Sequence, residues 1–126
     1  MRPMSRAAQH RFRLTTPGRR VMRAPRPDDV LGVIESLPRD GHALLASMDV
    51  PEVYIQVWLR PEGTYQLELR DGSVETHVQT RSSVRERVAA AFSGWLDEHS
   101  GDGDGTWRDG YQWNNISLSF TDTPEP

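Results

Sequence analysis

The chain has 126 residues, enough for one domain and too few for two ordinary ones. It contains no cysteine, which removes disulfides, a thiolate zinc site and a cysteine nucleophile together. Its formal net charge of −3 hides an asymmetry: eight of the 15 basic residues, all arginine, fall within residues 1–26, which contain no Asp or Glu.

The remaining seven arginines face all 18 acids in residues 27–126, so the body of the chain is strongly acidic. Residues 1–26 lack sustained apolar periodicity and carry Pro3, Pro17, Gly18 and Pro25, the composition of a disordered tail. Such an arm suits phosphate neutralisation on nucleic acid or an anionic surface. The preferred reading is instead a translation start placed too early, with Met4 and Met22 as internal starts. On that reading nucleic acid is a partner only if the tail is native. The tail has no apolar segment of the secretory kind. No run approaches the ~18–20 apolar residues of a membrane span, so the expected location is the cytoplasm, with no membrane partner.

Residues 28–37 predict a short helix, with Asp28 as cap, Val30, Leu31, Ile34 and Leu37 on one face, and Pro38 as its stop. Residues 43–48 predict a first strand. Residues 52–60 then alternate, with Val53, Ile55, Val57 and Leu59 in one phase, and residues 64–70 repeat this with Tyr65, Leu67 and Leu69. Pro61-Glu62-Gly63 suits a three-residue hairpin that pairs Leu59 with Tyr65, Val57 with Leu67 and Ile55 with Leu69. Asp71-Gly72 suits a two-residue type I′ turn into a strand over 73–80, which pairs Leu69 with Val74, Leu67 with Thr76 and Tyr65 with Val78. Both loops place the same apolar side chains on one face.

Residues 82–99 predict a longer helix with a Ser83/Glu86 capping box and an apolar stripe of Val84, Val88, Ala91, Phe92, Trp95 and Leu96. An acidic, glycine-rich loop follows over 100–105. Residues 107–120 have strand character, with Tyr111 and Trp113 in one phase and Ile116, Leu118 and Phe120 in the other. The order α-β-β-β-β-α-β gives an α+β fold: an antiparallel sheet of about five strands with two helices packed on one face. The organisation is one domain over 27–120, flanked by the tail 1–26 and a C-terminal tail 121–126.

Catalytic signals are sparse. The four histidines show no metal-ligand spacing, and no nucleophile elbow, P-loop or dinucleotide fingerprint occurs. Asp102 and Asp104 resemble part of a calcium loop, but Ser100 and Tyr111 occupy the positions that need carboxylates. Glu68 opposite Glu75 is a pair of carboxylates on an open sheet, without a pocket. No cofactor, metal or catalytic residue is therefore assigned, and the chain is read as a non-enzyme.

The outer sheet face is the candidate binding surface. The expected register sets Gln56, Glu68 and Glu75 in one row, Trp58 beside Gln66 and His77, and Tyr54 beside Arg70. These are exposed aromatics ringed by polar groups, the residue types enriched at protein-binding hot spots.

The segment from Tyr65 to Ser73, the helix with Ala91-Phe92 and Gly94-Trp95, and then Trp107 and Tyr111-Gln112-Trp113 together resemble small uncharacterised α+β proteins of high-GC bacteria. Some of these are similar to immunity proteins of polymorphic toxin systems. The resemblance covers residues 50–120 and implies a protein partner. With an acidic body, the expected function is a protein-binding domain that blocks a basic toxin through Tyr54, Trp58, Gln66, Glu68, Arg70, Glu75 and His77.

Overall fold

The computed structural model describes residues 11–18 and 20–115. Strand β1 (Phe12–Thr15) and strand β2 (Val21–Arg23) come first, then helix α1 (Pro27–Glu35) and strands β3 (His42–Ser47), β4 (Val53–Leu59) and β5 (Tyr65–Asp71). A 3₁₀ turn (Val74–Thr76), strand β6 (Val78–Ser82), helix α2 (Arg85–His99), a 3₁₀ helix (Thr106–Gly110) and the short strand β7 (Asn114–Asn115) complete the described chain. All strands join one antiparallel seven-stranded sheet in the order β2-β1-β3-β4-β5-β6-β7.

Strand alternation sorts side chains onto two faces. Phe12, Leu14, Leu45, Ile55, Val57, Leu67 and Leu69 share the inner face and form one buried core with Val30 and Ile34 of α1 and Val88, Ala91, Phe92, Trp95 and Leu96 of α2. Both helices therefore lie on one side, as the periodicities predict. Gly94 permits the last layer, because a Cβ there would lie 2.5 Å from Cγ of Trp107.

Among the described residues the sheet has seven strands rather than about five, and the two additional ones precede α1. Phe12 and Leu14 alternate with Arg13 at full burial, so residues 12–15 and 21–23 are not a disordered tail but an N-terminal hairpin. Residues 1–10 lie outside the described residues, as do the expected strand residues 116–120 and the tail 121–126.

The β4–β5 register is as expected, with Leu59 opposite Tyr65, Val57 opposite Leu67 and Ile55 opposite Leu69. The next hairpin differs: Leu69 pairs with Val78, Leu67 with Thr80 and Tyr65 with Ser82. Thr76 is the cause. Its Oγ1 accepts the amides of Asp71 (3.1 Å) and Ser73 (3.2 Å) and donates to the Ser73 carbonyl (2.7 Å), building a compact turn in place of a type I′ pair. The offset is an even number of residues, so the faces survive and only the partners change.

Helix starts also differ in detail. Asp29, not Asp28, reaches back to the Arg26 amide (2.8 Å), with Pro27 in the first turn. At α2 the Ser83/Glu86 box does not form; Val84 is the N-cap, and Ser82 Oγ accepts its amide at 3.0 Å. Val84 is consequently exposed rather than part of the stripe. The expected strand through Trp107 begins as the 3₁₀ helix, leaving Asn114–Asn115 as β7.

If the N-terminal hairpin belongs to the core, truncating its buried leucine has a core-sized cost. Leu14→Ala should lose about 3 kcal/mol in urea unfolding, and the chain lacking residues 1–26 should fail to unfold cooperatively. A loss within the range of a surface substitution would contradict this placement.

Candidate functional site: the open face of the sheet

The face opposite the helices is built by the alternate strand positions. Register places Arg23, Arg13, Ala46, Tyr54 and Arg70 in one row across β2, β1, β3, β4 and β5. A second row holds Val21, Thr15, Leu44, Gln56, Glu68 and Gln79, and a third holds His42, Trp58, Gln66 and Arg81.

Glu68 is the centre of a hydrogen-bond network. Its Oε1 accepts from Gln56 Nε2 (2.9 Å) and lies 2.9 Å from His77 Nε2, and its Oε2 accepts from Gln66 Nε2 (2.6 Å). Arg70 Nε donates to His77 Nδ1 at 3.0 Å, so that nitrogen carries no proton and the Nε2–H of a neutral imidazole donates to Glu68. The other arm of Arg70 is held by Glu52. Arg60 bridges Gln66 Oε1 (2.8 Å) and Glu62 (2.8 Å). His77 is only 6% exposed and the Glu68 side chain 13%, so these charges and dipoles are satisfied inside the surface layer rather than by water.

The aromatic residues are seated in the same network. Trp58 stacks against His42 with ring planes 1° apart, carries the Arg60 guanidinium 4.9 Å from its ring centroid, and donates its indole N–H to Asp40 at 2.9 Å. Tyr54 meets His77 edge to face and lies 5.8 Å from the Arg70 guanidinium. Both are half-buried. Asp40 and Glu52, the carboxylates that hold Trp58 and Arg70, both have left-handed backbones, with φ of 66° and 62°. A left-handed non-glycine residue costs about 1 kcal/mol or more, so the chain is bent at an energetic cost at the two positions that fix the ends of this network.

Tyr54, Trp58, Gln66, Glu68 and Arg70 thus converge as the sequence predicts. His77 joins them from the turn after Thr76 rather than from a strand, and Glu75 does not join: it is exposed in the 3₁₀ turn, and Gln79 takes the place opposite Glu68. Sequence reasoning missed His42, Arg60, Arg13 and Arg23. The first two share the strand phase of Trp58; the others required recognising the N-terminal hairpin.

The charge of the face is also corrected. Its strand positions present Arg13, Arg23, Arg70 and Arg81 against Glu68, and the residues flanking the strands add Arg60 together with Asp40, Glu52 and Glu62. Most of the other acids of residues 27–126 sit on the helices, in turns and in the 100–105 loop, so the face carries arginines and carboxylates in similar number rather than an acidic excess. Among the described residues no cluster of metal-ligating side chains occurs, and no helix is long and apolar enough to cross a membrane. Comparison with protein families, with curated proteins and with solved structures finds no match to this chain.

Burial raises the hydroxyl of Tyr54 above its ordinary pKa of 10.0 against the opposing pull of Arg70, and burial raises Tyr111 similarly against Arg87. The folded state then holds these protons more tightly than the unfolded chain. Their contribution to stability is complete below pH 10.0 and is lost as pH rises through the folded-state values. Tyrosinate absorbance, assigned with Tyr54→Phe and Tyr111→Phe, should show both ionising later in the native protein than in urea. Coincident titrations would contradict the burial of these rings.

Proposed function

We propose that this is a non-enzymatic protein-binding domain whose interaction surface is the open face of the sheet. The observation that carries the reading is the seating of Tyr54 and Trp58, half-buried aromatic side chains fixed by hydrogen bonds, stacking and guanidinium contacts on a face that neither helix covers. Side chains already ordered before association lose little entropy when a partner docks, and Trp, Tyr and Arg dominate the energetics of such surfaces.

The hollow directly beside Trp58, lined by His42, Gln56, Val57, Gln66 and Glu68, holds about 100 Å³, below the roughly 300 Å³ of ordinary ligand pockets. A larger open hollow of about 490 Å³ adjoins it, lined by Thr15, His42, Leu44 and Gln56 and by the turns at Pro17 and Pro38. Both nitrogens of His77 are engaged and the ring is buried, which does not suit a general base. The resemblance to immunity proteins supports a toxin as the partner. The arginines of the face lend no support to a basic one.

The reading predicts that Trp58→Ala weakens a captured partner by roughly 30-fold, a hot-spot loss. The check is partner capture with the full chain, followed by titration of the purified pair and hydrogen exchange on the complex. Protection of β4 and β5 amides is expected. Unchanged affinity in both Trp58→Ala and Tyr54→Ala, with protection confined to α1 and α2, would overturn it.

A further inference from the structure

Arg13 and Arg23 lie directly opposite each other on β1 and β2, and both are exposed. Like charges at directly opposed positions of an antiparallel pair destabilise it. Neither arginine has an ion-pair partner among the described residues, whereas Arg11, Arg60, Arg70 and Arg85 each have one and Arg108 has two. The fold therefore retains an uncompensated repulsion on the face that carries the aromatic network. In the same row the small Ala46 lies between Arg13 and Tyr54 and is covered by its neighbours.

We infer that Arg13 and Arg23 form a carboxylate-recognising site that receives an acidic segment of a protein partner. The inference rests on the reading of the open face as a protein-binding surface and supplies the partner's chemistry. Guanidinium forks pair bidentately with carboxylates in a planar geometry, and an acidic side chain set between the two arginines removes the repulsion that the free protein carries. The Tyr54 hydroxyl, three strands along from Arg23 in the same row, offers a further donor. Charge complementarity also sorts the candidates: a basic partner is repelled by this half of the face. A single-stranded nucleic acid would find phosphate contacts but no free stacking platform, because Trp58 already lies against His42 and Arg60.

The site makes an opposed pair of predictions for one substitution. Arg23→Glu places a carboxylate opposite Arg13, so the melting temperature of the full chain should rise. The same change should weaken binding of a labelled decaglutamate peptide by about tenfold at physiological salt, since one charge-assisted contact is lost. Arg13→Glu should behave alike, and Arg85→Glu on α2 should leave peptide affinity within about twofold of the unmodified chain. Loss of peptide affinity with a raised melting temperature supports the site, because misfolding cannot produce both. Peptide affinity unaffected by Arg23→Glu and Arg13→Glu overturns it, and so does tighter binding of a ten-nucleotide oligo(dT) than of the peptide. If these arginine variants have no effect while Trp58→Ala still abolishes capture of a protein partner, the inference fails alone. If the arginine variants act and Trp58→Ala does not, the carboxylate site stands without the aromatic hot spot.

Discussion

Phe12 meets Trp95 edge to face, with ring centroids 5.6 Å apart, and this contact ties the first strand of the sheet to the longer helix. Trp95 is fully buried, stacks on His99 at 4.4 Å, and keeps its indole N–H unbonded among the described residues. A buried donor without a partner costs about 1–3 kcal/mol, which the aromatic packing around it must exceed. The consequence for the other side of the sheet is geometric. With Phe12 and Leu14 turned inward, the strand alternation sends Arg13 outward, and pairing with β2 sets Arg23 opposite it. Core packing thereby determines the charge of the open face.

The open face itself is organised by burial of one carboxylate. Glu68 sits near the middle of the sheet, where a charge without partners would not be tolerated. Gln56, Gln66 and His77 supply the hydrogen bonds, and Arg70 and Arg60 extend the network to Glu52 and Glu62 at the rim. Tyr54 and Trp58 take their orientations from this arrangement. The left-handed residues Asp40 and Glu52 are the points where backbone energy is given up to hold it. The face is thus ordered before any association, and on the proposed reading its arginines would bias recognition towards acid.

Much of this was legible in the chain. Pro61-Glu62-Gly63 and the alternation on either side determine the β4–β5 register, because a loop length and a hydrophobic phase independently give the same pairs. The β5–β6 hairpin shows the limit of that reasoning: Asp71-Gly72 carries a strong turn signal, yet the Thr76 hydroxyl stabilises a longer turn and moves each partner, while even spacing preserves the faces. The N-terminal hairpin was hidden because Phe12-Arg13-Leu14-Thr15 is too short to show a period, and arginine and proline surround it. Summing charge along the sequence failed for a related reason. A strand distributes its charges by parity, so the sum along the chain does not give the charge of one face.

The most direct measurement of this account is native-state hydrogen exchange, residue by residue, across β1 and β4. If the N-terminal hairpin is an integral part of the sheet, the β1 amides that pair with β2 and β3 should exchange only through global unfolding, as those of Ile55 and Val57 do. Exchange of the β1 amides at open-chain rates while Ile55 and Val57 stay protected would contradict the account, and would remove Arg13 and Arg23 from the face.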